Sequence, residues 1–147
     1  MLLSLFAILW FQTAPSLDTP GVVLILSGDT VFVTPTNSIG RAGDIRTATF
    51  IEIFPLGPEG WEEVRRDNDV EIDCKEGRIR SFGGRASDAE GRIRSTYAAE
   101  SREWEPIGED YPPLAVLRAV TCSDIDLAAV SFESLEAELP RLRARLQ

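Results

Sequence analysis

Apolar and polar positions alternate along much of the chain, and the alternation changes period where the secondary structure should change. In G-V-V-L-I-L-S-G-D-T-V-F-V-T two apolar, β-branched runs flank Ser27, Gly28 and Asp29, which predicts a β-hairpin. The Pro, Asn, Ser and Gly residues between Pro35 and Gly43 mark a loop. In D-I-R-T-A-T-F-I-E-I-F, Ile45, Thr47, Thr49, Ile51 and Ile53 alternate with Arg46, Ala48, Phe50, Glu52 and Phe54. Both faces of that segment are partly apolar, so it should be a central strand. Pro55, Gly57, Pro58 and Gly60 end it, and Trp61 to Asp69 reads as a charged connection.

The next segment carries a register as well as a strand. Val70, Ile72 and Cys74 alternate with Glu71, Asp73 and Lys75, and the sequence turns back at Lys75 and Glu76. A turn there sets Ile72 opposite Ile79, Asp73 opposite Arg78 and Glu71 opposite Arg80. One face of the hairpin is then apolar and the other pairs opposite charges. Those ion pairs face outward and read as a solvated ladder rather than an active site. Gly83 with Gly84, and then Gly91, mark two breaks before R-I-R-S-T-Y-A-A, for about six strands with links short enough for antiparallel pairing.

Helical spacing appears only near the C-terminus. In Y-P-P-L-A-V-L-R-A-V-T-C, Leu114, Leu117 and either Val120 or Thr121 recur on one face, with Pro112 and Pro113 suited to a first turn. Cys122 should end that helix. Farther on, Phe132, Leu135, Leu139, Leu142 and Leu146 form one stripe at intervals of three and four, with acids preceding arginines as the helix dipole favours. Pro140 predicts a kink or a restart within it. The stripe would dock either on its own domain or on a second copy, as a homodimer interface. The fold class is α+β: an antiparallel sheet packed by a helix, plus an additional C-terminal helix.

The first sixteen residues change the meaning of the cysteines. Leu2 to Phe11 is apolar apart from Ser4, too short to span a bilayer of roughly 30 Å as a helix, and is followed by small and turn-forming residues. This reads as the core of a secretory signal peptide, with cleavage after Ser16, although its start lacks positive charge; the alternative is an ordinary buried apolar segment. No cysteine lies near it, so a lipoprotein is not expected. In a reducing cytosol Cys74 and Cys122 would be two buried thiols, whereas in an oxidising compartment an even count reads as one disulfide. That bond would pin the helix across the apolar face of the sheet. The organisation is then residues 1–16 as leader, 17–122 as the domain and 123–147 as a helical extension.

Charge and missing residue types narrow the function. The 147 residues carry a net charge of −9, which opposes binding to nucleic acid and to anionic lipid. Arginine supplies all basic residues except Lys75, a bias to which no function attaches. There is no histidine, so the commonest general base, the usual metal nitrogen and any Ser-His triad are missing. No glycine-rich phosphate loop or zinc spacing occurs, and no cofactor or metal is expected. A carboxylate pair assembled by folding remains the one route to a small hydrolase.

The chain resembles the surface-adhesin protein E-like domains of bacterial envelope proteins. The resemblance rests on F-V-T-P-T-N-S-I-G-R-A-G-D at Phe32 to Asp44, V-E-I-D-C with following arginines at Val70 to Arg80, W-E-P-I at Trp104 to Ile107, and the helix ending at Cys122. It implies an antiparallel sheet tied to a helix by a disulfide, and an exported, non-enzymatic role in binding another macromolecule of the envelope or of a host. A periplasmic inhibitor or structural partner of another protein is the alternative. Within the resemblance, Ser38, Arg41 and Gly43 form a candidate binding loop, since Ser and Arg supply donors and glycine admits close approach. The competing reading gives Ser38 and Gly43 to turn geometry and Arg41 to an acidic neighbour. Trp104 is either a binding aromatic or a packed one.

Overall fold

The computed structural model describes residues 13–55 and 64–145. The first hairpin forms as its alternation requires, from β1 (Gly21–Ser27) and β2 (Thr30–Pro35). The Pro35–Gly43 segment, read as a loop, contains a 3-10 turn at Thr36–Ser38 and a short strand, β3 (Gly40–Ala42). The turn lets the chain step from β2 to β3 along one edge of β4 (Ile45–Ile53): β2 pairs with Ile51–Ile53 and β3 with Ile45–Thr47. The other edge of β4 takes β5 (Arg65–Asp73), so β4 is central as expected.

β5 begins earlier than the sequence reading placed it. Residues from Arg65 onward, assigned there to a charged connection, are strand, while Trp61 to Glu63 lie outside the described residues. β5 turns into β6 (Arg78–Ser87) with the register foreseen: Ile72 opposite Ile79, Asp73 opposite Arg78, Glu71 opposite Arg80. The Asp73 carboxylate accepts N–H bonds from Glu76 at 3.0 Å and Lys75 at 3.1 Å, closing the turn. Those bonds, the Glu76 one foremost, hold its carboxyl below the ordinary 3.8 despite the opposing effect of burial. Gly83 and Gly84 do not break β6. They sit where the Tyr97 carbonyl on one side and the Asp67 carbonyl on the other approach too closely for any Cβ. Gly91 does mark the turn into β7 (Ile93–Ala98), and β8 (Glu105–Pro106) adds a short pairing on β6. The sheet among the described residues thus has eight antiparallel strands, with the path β1-β2-β4-β5-β6-β7 carrying the expected six.

Strand alternation sends neighbouring residues to opposite faces, and each face has its own helix. On one, Phe32, Ala48, Phe50, Val70 and Ile72 pack under Leu117 of α1 (Pro112–Cys122). Complete burial of Leu117 contributes about 2 kcal/mol. The expected disulfide joins Cys74 to Cys122, the last residue of α1, with Cα atoms 5.5 Å apart. Arg46 caps the same helix end, its Nε donating to the Thr121 carbonyl at 3.1 Å.

On the opposite face, Val31, Val33, Ile51 and Ile53 pack under Leu135 and Leu142 of α3 (Leu135–Arg145), which follows the short α2 (Leu127–Val130). The leucine stripe therefore docks on its own sheet, with Leu139 packed beside it. Phe132 is not part of the helix. It forms an extended bridge to Gly21 and is exposed; Leu146 lies outside the described residues. Helix α3 runs through Pro140 as one element rather than restarting.

The amides at the start of α3 all find acceptors. Leu135 N donates to Thr19 O and Glu136 N to Leu17 O, while Ala137 N and Glu138 N reach the side chain and carbonyl of Ser134. Residues 13–19 thus strap α3 to the sheet. Ala14 N also donates to Gly91 O at 2.8 Å, and Arg65 Nη1 donates to Pro15 O at 2.8 Å. Residues 13–16, assigned to the leader span by the sequence reading, are accordingly tied into the fold. Residues 1–12 lie outside the described residues.

Candidate functional site

Helix α1 lies over the β1 and β4 side of its face, from Cys122 beside Cys74 to a start at Tyr111 beside Glu52, and a groove of about 700 Å³ opens next to it over β4, β5 and β6. Its floor is Phe50, Val70 and Ile79, contributed side by side by β4, β5 and β6, with Leu114 from the first turns of α1. One wall is the connection from β7 to β8, through Ala99, Glu100, Ser101 and Glu103 to Glu105. Tyr97 and Tyr111 stand at its rim, 40% and 41% exposed, respectively.

A chain of polar contacts joins the two tyrosines across the sheet. Tyr111 donates its hydroxyl to Glu52 Oε1 at 3.2 Å, Asn68 Nδ2 donates to Glu52 Oε2 at 3.4 Å, and the Tyr97 hydroxyl donates to Asn68 Oδ1 at 2.5 Å. Partial burial, reinforced by the Glu52 charge, pushes the Tyr111 hydroxyl up to about 12. Its ring stands edge-on to Phe32 and Phe50, which stack with centroids 5.6 Å apart. The rim tyrosine is therefore positioned from two sides, by an aromatic pair and by a carboxylate.

The opposite face of β5 and β6 carries the ion-pair ladder. Glu71 meets Arg80 at 2.6 Å, Asp73 meets Arg78 at 3.5 Å, and Arg85 lies 3.7 Å from both Asp67 and Asp69. Trp104 is neither core nor groove: half-buried, its ring takes the Arg80 guanidinium at 4.6 Å and that of Arg78 at 6.0 Å.

The candidate loop residues have separate tasks outside the groove. Ser38 donates to Pro35 O at 2.7 Å and accepts from Thr49 N at 3.0 Å, joining the 3-10 turn to β4. Gly43 makes the β3–β4 turn with φ of 60°, and its carbonyl accepts from Arg46 Nη1 at 2.6 Å. Arg41 is exposed on β3, opposite Arg46 in register.

Two buried carboxylates escaped the sequence reading, and each is held by arginine rather than by the other. Asp67, 1% exposed, makes a two-pronged pair with Arg65, at 2.5 and 2.6 Å. Asp88, 3% exposed, accepts from the Arg92 N–H and guanidinium, each at 3.0 Å, and from the Glu90 N–H at 3.1 Å. Burial alone would raise its carboxyl; these donors outweigh that and hold it below the ordinary 3.8. The alternation of Arg65 with Asp67 was the available signal for the first pair.

Among the described residues no cluster of three cysteines or carboxylates is placed to hold a metal ion, and no helix is long and apolar enough to cross a membrane. The disulfide is consistent with an oxidising compartment. No family model, curated protein or solved structure matches the chain.

Proposed function

We propose that this is an exported, non-catalytic domain that binds another macromolecule, and that the groove beside α1 is its binding surface. The observation that carries the reading is an open apolar floor flanked by two exposed tyrosines fixed by Glu52 and Asn68. Rigid aromatics beside an apolar floor are the usual anchors of an interface, since they lose little freedom on contact. The two buried carboxylates are each committed to arginine, which leaves them as structural pairs rather than an acid and a base facing a cleft. The resemblance to adhesin E-like domains supports the same reading.

The test is capture from an envelope extract followed by measurement with the purified partner. Tyr97→Ala should weaken binding about tenfold, as expected for an interfacial aromatic, while Glu133→Gln, beyond the groove between α2 and α3, should leave it unchanged. Binding indifferent to Tyr97→Ala would remove the groove from the reading. Turnover of a glycan, peptide or ester abolished by changing one carboxylate would replace the reading with an enzyme.

A further inference from the structure

The groove differs from its floor in charge. Glu52, Glu100, Glu103 and Glu105 line it, the last three exposed, while Arg80 is the one cation among the described lining residues. Arg80 adds little opposing charge, because its guanidinium is held by Glu71 at 2.6 Å and lies against Trp104. An occupant must therefore present apolar groups to Phe50, Val70 and Ile79 and cationic groups to the wall. An extended segment lying on the floor meets both demands when apolar residues alternate with long cationic ones, whose flexible stems leave the floor and bend to the carboxylates of the wall.

We infer that the groove takes an extended peptide segment of a partner protein in which lysine or arginine alternates with apolar residues. The inference rests on the groove being the binding surface and adds the chemistry of what it binds. The chain's net charge of −9 would also attract such a segment from a distance.

The experiment uses the full chain and a labelled short peptide of alternating lysine and valine, read by fluorescence anisotropy and by amide chemical shifts. The peptide should bind, shift the amides of Phe50, Val70, Ile79 and Ala98 to Ser101, and weaken as salt is added. Combining Glu100→Gln, Glu103→Gln and Glu105→Gln should weaken it about tenfold, the combined effect expected of three exposed charges. The same charge change made elsewhere, with Asp29→Asn, Asp124→Asn and Glu133→Gln, should leave binding near that of the unaltered chain. Equal binding of a glutamate–valine peptide, indifference to the groove substitutions, or shifts confined to other surfaces would overturn the inference. Spermine matching the peptide in affinity and displacing it fully would also overturn it, in favour of a small-cation site. A captured partner whose binding depends on Tyr97, together with failure of the lysine peptide, would end the inference while leaving the binding reading standing. Loss of both would end both.

Discussion

Two helices of 11 residues cover opposite faces of one sheet, and they are held there by different means. Helix α1 is tied at its last residue by a disulfide and capped by Arg46, and it leaves much of its face open. Helix α3 has no covalent tie. It buries Leu135 and Leu142, packs Leu139, and hands its first two amides to the strap at residues 13–19. Both helices pack along their length, through Pro113, Leu114, Leu117 and Thr121 in α1 and Leu135, Leu139 and Leu142 in α3, so the bond adds to α1 an end that cannot detach. The groove lies on the bonded face, where apolar floor stays open without the helix being lost.

The largest expected effect removes the bond that makes the two sides differ. Replacing Cys74 and Cys122 together by alanine should cost about 4 kcal/mol in a urea melt, from the loop of 48 residues the bond closes. The amides of α1 should then exchange faster while those of α3 are little changed. A loss below about 1 kcal/mol would mean that packing alone secures α1, and the comparison would fail.

The next effect sharpens it from within the two cores. Leu117→Ala and Leu135→Ala each empty a fully buried site and should each cost about 3 kcal/mol. Their local consequences should diverge. Hydrogen exchange should rise throughout α3 in Leu135→Ala, whereas in Leu117→Ala the end of α1 near Cys122 should stay protected. Equal protection in both helices would show that the disulfide has no local effect.

The smallest effect separates the sides by pH. Asp88 anchors the loop whose Gly91 carbonyl holds the strap, and its folded carboxyl lies below the unfolded value of 3.8. A depressed acid stabilises above the unfolded value, and that contribution is lost as pH falls through the lower folded value. Below pH ~4, Asp88→Asn should thus flatten the decline in melting temperature. Tyr111 has the opposite sign. Its hydroxyl is raised from 10.0 to about 12, so its contribution is complete below the unfolded value and lost as pH rises between the two. Partial exposure makes the effect modest, and Tyr111→Phe should remove it together with one phenolate absorbance step near pH 12. Reversed signs in either variant would show that the causes assigned here are wrong.

Features set by neighbouring residues were legible in the sequence. The register of β5 and β6 follows from alternation and a tight turn, and α1 follows from its apolar spacing behind two prolines. Features set by distant partners were not. Arg65 and Asp67 look solvated beside so many charges, yet they share a strand whose face closes under residues 13–17. Gly83 and Gly84 look like breaks because the sequence does not show which carbonyls will press against them. Phe132 continues a helical spacing, but its backbone is engaged by Gly21, more than a hundred residues earlier. The groove draws its floor and walls from β4, β5, β6, the β7–β8 connection and α1, so no single stretch announces it.

The strap that fastens α3 also imposes an order on folding. Its residues are made more than a hundred positions before the donors at the start of α3, as in the bond from Ser134 to Asp18 across 116 positions. Until α3 is made, the apolar strip of Val31, Val33, Ile51 and Ile53 lacks its cover. The nascent chain is therefore a sheet with one bare side, and closing it waits on the synthesis of α3.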